Sequence, residues 1–311
     1  LLFSDAGHML GSAVVSLRLD DGARTQRVCF TGDVGRYVDR LLKDPEPVPQ
    51  TDVLICESTY GDRDHGPVQE AEEELLRHVH RVCVEQRGRL VIPAFSVGKT
   101  QELLYTLNAL SNAGRLPAIP VFVDSPLAIS ATDIARKHPY LFREAVQEEL
   151  AHDPDLFSFA GVQFLRSPES SKALNARKEP CIIISASGMM EAGRVRHHLR
   201  HTLPDARNAV LVVGFCAPGT LGERLLQGAD EVGLFGERIP VKADILRMDF
   251  YSAHADRGEL LRFLACQRPE AVGRTFLVHG VDSALEGLRD RLAEKGFQRI
   301  VIPERGERHK F

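Results

Sequence analysis

Residues 249–280, DFYSAHADRGELLRFLACQRPEAVGRTFLVHG, constrain the fold more than any other stretch of this chain. A short strand pattern leads into Ser252-Ala253-His254-Ala255-Asp256, helical spacing follows, and a second apolar run delivers Val278-His279-Gly280. Strand, helix and strand in that order belong to an α/β sheet, where ligands and catalytic groups collect at the carboxyl ends of strands. His254 and His279 both stand at such ends. Either one alone would be an ordinary loop histidine.

The opening of the chain repeats the arrangement. Residues 1–11, LLFSDAGHMLG, run from a strand end into a glycine-flanked loop carrying Asp5 and His8. Residues 12–19 alternate weakly, and Asp20-Asp21-Gly22 turns them into Arg27-Val28-Cys29-Phe30, which ends in Thr31-Gly32-Asp33. After a proline-rich loop over residues 44–50, a strand over residues 52–56 ends in Glu57-Ser58-Thr59-Tyr60-Gly61-Asp62. Strand ends therefore present His8, Asp33, His254 and His279, and another presents Glu57. Imidazole and carboxylate are the donors of a zinc-type divalent ion, and a catalytic site leaves one position open for water. A turn aspartate or a solvated glutamate explains Asp33 or Glu57 singly; their conjunction with three histidines is what points to a site.

Composition narrows the class. With 311 residues, 43% hydrophobic and 26% charged, the chain has the make-up of a water-soluble globular protein large enough for two domains. A net charge of −4 gives no global basic field, so any nucleic-acid contact must be a local patch. No apolar run approaches the roughly 20 residues of a membrane span. The six cysteines form no CxxC pair and sit mostly beside apolar residues, which reads as reduced, buried thiols in a cytoplasmic protein.

The motifs DAGHMLGSA, TGDVGR, CESTYGDRDH, YSAHAD and FLVHG, in that order, resemble those of the metallo-β-lactamase-fold nucleases of the β-CASP family. PAFSVGKTQELL, DSPLA, SASGMMEAGRVRHHL and GTLGERLL look like that family's inserted domain, so the resemblance covers essentially the whole chain. It implies an α/β architecture: a metallo-β-lactamase domain (an αββα sandwich, N-terminally incomplete here) at residues 1–61, a β-CASP insert at 62–240 and a return at 241–311. It also implies two zinc ions, with His8 on one, Asp33 bridging both and His279 on the second. His254 would then be the general acid beside the scissile phosphate, oriented by Glu57. The chemistry is coherent, because a carboxylate on one imidazole nitrogen fixes the tautomer that a proton donor needs.

One departure stands out. The family's HxHxDH signature, which supplies the remaining metal ligands, is absent. His78-Val79-His80 is the nearest match, but it lies in an amphipathic helix pattern, VQEAEEELLRHVHRVCVEQ, where residues two apart do not share a face. In the family the signature precedes the His8 motif, and this chain opens at Leu1 without methionine, so the reading is of a longer protein met part-way along. The fragment by itself is expected to be inactive.

Strands and helices alternate through the middle of the chain, which argues for a parallel sheet covered by helices. Pro93-Ala94-Phe95-Ser96-Val97-Gly98-Lys99-Thr100 imitates a P-loop, but proline stands where the nucleotide-binding pattern needs its first glycine. Lys99 at a helix start still suits a backbone phosphate. Ser187 and Gly188 end another strand, and the helix that follows carries Arg194, His198 and further basic residues, so these are also candidate RNA-phosphate contacts. His197 and His201 share a face at i,i+4 without an accompanying carboxylate or cysteine, and read as a basic solvated face rather than a metal site.

The sequence thus points to a zinc-dependent phosphodiesterase, a ribonuclease cutting RNA in a cleft between its two domains, with a homodimer implied by the resemblance. The rivals are a non-catalytic RNA-binding scaffold, a DNA nuclease and a small-molecule metallohydrolase.

Overall fold

The computed structural model describes residues 1–37, 39–66, 69–248 and 252–310. The strand expected to enter Ser252 falls on residues 249–251, outside the described residues.

Four strands open the chain: β1 (Leu2–Asp5), β2 (Ala13–Asp20), β3 (Thr25–Phe30) and β4 (Val53–Glu57). Helix α1 (Gln69–Val79) runs straight into a π-helical segment, His80–Glu85. Alternation follows: β5 (Arg89–Pro93), α2 (Lys99–Asn112), β6 (Val121–Val123), α3 (Pro126–Lys137), α4 (Glu144–Glu149) and β7 (Val162–Phe164). Next come α5 (Pro168–Ala176), β8 (Cys181–Ser185), α6 (Val195–Thr202), β9 (Ala209–Val212) and α7 (Leu221–Leu226). The hairpin β10 (Glu231–Leu234) and β11 (Glu237–Pro240) precedes β12 (Asp244–Arg247). Helix α8 (Arg257–Leu264), β13 (Arg274–Val278), α9 (Asp282–Glu294) and β14 (Ile300–Val301) close the chain.

These elements form two compact units. The first comprises Leu1–His65, Leu141–Arg143 and Ala253–Phe311, the second Gly66–Tyr140 and Glu144–Ser252. In the first unit the strand order is β1-β2-β3-β4-β13-β14. The β1–β2 and β2–β3 pairs are antiparallel, whereas β3, β4, β13 and β14 run parallel. The alternation of β2 and β3 turns Val14 and Cys29 to one face, where they meet Leu54, Cys56 and Leu277. Leu260 and Phe263 of α8 and Leu285, Leu288 and Leu292 of α9 cover that face. On the opposite face Val28, Val53 and Phe276 cluster, and Phe30 is 46% exposed.

The parallel run decides where chemistry can occur. Register pairs Phe30 with Ile55 and Val278 with Glu57, so β3, β4 and β13 end at one edge and release Asp33, Glu57 and His279 side by side. Helix α8 starts at the same place. Asp256 caps it, accepting from Glu259 N–H at 2.8 Å, while the Glu259 carboxylate accepts from Asp256 N–H at 3.1 Å. This capping box holds the turn that presents His254.

The second unit has the sheet order β12-β9-β5-β8-β6-β7, with every pair parallel. Its central strands RLVIP, CIIIS and AVLV are buried along their whole length, as a sheet covered on both faces requires. The segment containing Asp244–Arg247 pairs with β9 as an edge strand of the second sheet, Asp244 opposite Ala209. The compact units change over after His65 and Ser252. A short half-apolar strand carries no mark of which sheet it joins, and here Ile245 packs on the second unit's core. Leu141–Arg143 also departs from the linear division, because Phe142 bridges to Leu42 and Arg143 Nη2 donates to the Tyr37 carbonyl at 2.9 Å. His78 lies on α1 with Glu74 at 3.6 Å, as its helical spacing indicates.

Replacing Asp256 with alanine removes the α8 cap and the acceptor of the His65 N–H at 3.0 Å. Urea denaturation is expected to show a loss of about 1–2 kcal/mol, and Asp256→Asn to recover most of it.

Candidate metal centre

Five side chains meet at the edge formed by β3, β4 and β13. Asp33 is the hub: its Oδ1 lies 3.0 Å from His279 Nδ1 and its Oδ2 3.9 Å from His8 Nε2. His8 follows β1 on a loop that Ser12 holds, the Ser12 hydroxyl accepting from His8 N–H at 3.2 Å. Its ring is 5% exposed, and Nδ1 lies 3.1 Å from the Ala253 carbonyl. An Nδ1–H donated to that carbonyl leaves the Nε2 lone pair facing Asp33, the tautomer of a metal ligand. Burial, reinforced by His254, lowers the His8 pKa and keeps the ring neutral.

Backbone contact brings the His8 and Asp33 loops together. Gly35 N–H donates to the Ala6 carbonyl at 2.7 Å, and a Cβ on Gly35 would fall 1.9 Å from the Gly7 carbonyl oxygen. Only glycine fits there. His279 leaves β13 in the left-handed region at φ 55°, which swings its ring across the edge towards Asp33.

Glu57 has a different surrounding. It is 2% exposed; Oε1 accepts from Val34 N–H at 2.5 Å, and Oε2 accepts from the Thr59 hydroxyl at 2.6 Å. His254 Nδ1 lies 3.1 Å from Oε2. Burial pushes the Glu57 pKa up, but the His254 contact, Thr59 and Val34 outweigh it and hold the carboxyl below its ordinary value. Asp33, Glu57, His254 and His279 all offer donor atoms within 4.8 Å of one another. Glu57 spends its oxygens on protein donors and on His254, whereas Asp33 lies beside His8 and His279.

That set fits a zinc-type ion in its chemistry, carboxylate flanked by imidazoles. Shared between two ions, three residues give each of them two donors, one fewer than a catalytic zinc takes from protein.

His65 was given no role by the sequence, although it stands in the quoted CESTYGDRDH. Its Nε2 lies 3.2 Å from the His254 carbonyl and its ring packs edge-on against Tyr60 at 4.4 Å. Burial, then the charge of Arg36, pushes its pKa down to about 4, so a neutral ring donates to that carbonyl. Thr59 was likewise missed. A histidine two residues beyond an arginine carries no sequence signal for a contact made 189 positions away.

The candidate phosphate contacts lie in the second unit, and three of them have partners within the protein. His198 is fully buried, with Nε2 at 2.7 Å from Asp124 and Nδ1 at 2.8 Å from the Asn175 side-chain oxygen. Arg194 donates to Asp124 at 2.6 Å and to the carbonyls of Leu165 and Arg166. Lys99 is 6% exposed and ion-paired with Glu102 at 2.6 Å. All three turn inward because Asp124 and Glu102 would otherwise be buried charges without partners. Ser187 is half-buried, its hydroxyl near the Ala192 backbone, and Gly188 packs under Phe95.

A family model of the Beta-Casp domain matches residues 100–225, and one of the Zn-dependent metallo-hydrolase RNA specificity domain matches residues 238–303. Ribonuclease TTHA0252 of Thermus thermophilus is 34% identical over 307 residues, covering 99% of this chain and 68% of the relative. The chain belongs to the β-CASP family. Its fold is accordingly a metallo-β-lactamase fold with a β-CASP insert. Transcription termination factor FttA of Methanocaldococcus jannaschii is 33% identical over 317 residues, covering 97% of this chain and 48% of that protein. Endoribonuclease YSH1 of Mycosarcoma maydis is 30% identical over 290 residues, with 92% and 32% covered. This β-CASP chain thus spans between about a third and two thirds of these relatives' lengths.

Two substitutions test the geometry. Gly35→Ala in the full-length protein is expected to separate His8 from Asp33 and weaken metal affinity by about tenfold or more, read by chelator competition. Asp124→Asn is expected to cost about 3–5 kcal/mol, since it strands buried partners. Its pH dependence has a definite sign. Burial raises the Asp124 pKa, but the bonds from His198, Ser171 and Arg194 outweigh that, so the folded value lies below the unfolded one. The stabilisation is therefore complete above the ordinary aspartate range and lost as pH falls through the lowered value. Acid denaturation of the Asn variant should lack that limb.

Proposed function

We propose that this chain carries one face of the active site of a metal-dependent ribonuclease that hydrolyses RNA phosphodiester bonds. The observation that supports it most is the division of labour at one sheet edge: an Asp33–His8–His279 donor set beside a separately buried Glu57–His254 pair. The names of the relatives support it further, two being ribonucleases and one a transcription termination factor.

Two zinc ions are the proposed cofactor, which His8, Asp33 and His279 would hold; bound there, they would supply an acidified water and neutralise phosphate charge. The chain's own residues do the rest. Glu57 holds His254 by Nδ1, which aims Nε2 away from the carboxylate and lets it carry a proton for the leaving ribose oxygen. Burial and the neighbouring His254 keep His8 neutral, and the Ala253 carbonyl holds it in one tautomer. In the insert, Ser187 and the α2 start near Gly98 remain as phosphate contacts through hydroxyl and backbone N–H groups. The assembly is a homodimer, to be read by sedimentation, and the cytoplasm is the proposed compartment. Six free cysteines, five of them buried, are in keeping with reducing surroundings. Among the described residues no helix is long and apolar enough to cross a membrane.

The test separates ligand from acid. In the full-length protein, His254→Ala is expected to lower RNA cleavage by about 10²–10⁴-fold with zinc content unchanged by elemental mass spectrometry. His8→Ala and His279→Ala should lose metal and activity together. Loss of zinc from the His254 variant would sink the assignment.

A further inference from the structure

The tip of the β10–β11 hairpin is built in a way that turn chemistry does not explain. Leu234 pairs with Glu237, so the turn consists of Phe235 and Gly236, at φ 52° and 80°. Two successive left-handed residues make a turn that favours Asn or Asp before Gly. Here a bulky aromatic takes the first position against its steric preference and stays 44% exposed. Strain of this kind, with no compensating burial, points from structure to function.

The ring is not loose. It stacks on His197 with centroids 4.4 Å apart and planes at 23°, and the Arg196 guanidinium carbon lies 4.9 Å from its centroid. Both partners come from the first turns of α6, whose sequence VRHHLRHT contains no acidic residue. Arg200, one turn on, pairs with Glu237 at 2.7 Å and ties helix to hairpin. Arg196 is also directed by its reach to the Glu191 carbonyl at 3.5 Å. Burial, then the neighbouring charges of α6, among them Arg196 and Arg200, lowers the His197 pKa.

An aromatic ring that stays 44% exposed, with an imidazole stacked on it and a guanidinium over it, offers a single-stranded nucleobase a stacking surface and its phosphate a cation. A protein-docking patch would need several hundred Å² of contiguous apolar surface, whereas this ring is bordered by Arg196, His197, Gly236 and Glu237. We propose that Phe235, backed by His197 and flanked by Arg196, is a nucleobase-stacking subsite for single-stranded RNA within the insert unit. The inference rests on the ribonuclease reading and gives the insert a contact made by stacking rather than by phosphate capture.

The chain contains no tryptophan, so Phe235→Trp adds a reporter whose emission is read against the parent protein. In the full-length protein, carrying His254→Ala to block cleavage, a 12-nucleotide single-stranded RNA is titrated and followed by tryptophan emission. Binding of a fluorescein-labelled copy is followed in parallel by anisotropy. The expected result is saturable quenching with the midpoint given by anisotropy. Phe235→Ala should weaken binding about tenfold, with Phe235→Tyr close to the parent and the melting temperature of each variant unchanged. Normal RNA binding with unaltered tryptophan emission, and with Phe235→Ala binding as the parent does, overturns the subsite and leaves the ribonuclease reading standing. Absence of any RNA binding by the parent protein overturns both.

Discussion

The Glu57 carboxylate holds the first unit's working edge together. It sits at the end of β4 with almost no solvent contact and gathers donors from three separate loops: Val34 beyond β3, Thr59 beyond β4 and His254 ahead of α8. A buried carboxylate without these partners would cost several kcal/mol, so the loops cannot separate cheaply. The same contacts fix where Asp33 and His254 stand, since Val34 adjoins Asp33 and the capping box adjoins His254. Site geometry and local stability are thus one interaction seen from two sides.

The second unit repeats this physics for another purpose. Asp124, at the end of β6, is buried and gathers His198, Arg194 and Ser171 from α5, α6 and the residue preceding α6. No donor there is left facing a substrate. The network shapes the carboxyl edge of the parallel sheet and leaves surface chemistry to residues such as Ser187 and Phe235. A similar cluster of Asp, His and Arg therefore reads as chemistry in one unit and as scaffold in the other. Burial and partner count make the difference: Asp33 is open and flanked by imidazoles, whereas Asp124 is closed and saturated.

Much of the edge was legible from the sequence because parallel strands deliver their last residues to a common place. Asp33, Glu57 and His279 could be read as strand-end residues from local pattern alone, and His8 and His254 from the loops beside them. The phosphate contacts were less legible. Arg194 and His198 advertise positive charge on a helix, but whether a helical residue points outward depends on a partner such as Asp124, 70 or 74 positions away. His65 failed for the complementary reason, since its work is a single bond to a backbone carbonyl that any loop could supply. Phe235 was hidden too: a Phe-Gly pair between two short strands looks like the end of an apolar run until the turn shows it facing outward.

By itself the sequence determined the α/β class, the ordered motifs and the residue types at each strand end, because period, turn chemistry and donor type are local properties. Tertiary structure decided which strands share a sheet, so that Asp244–Arg247 joined β9 and Leu141–Arg143 joined the first unit. It also decided which charged side chains face solvent and which are consumed inside. Those outcomes depend on partners far along the chain, and only the folded packing brings them within a hydrogen bond's reach.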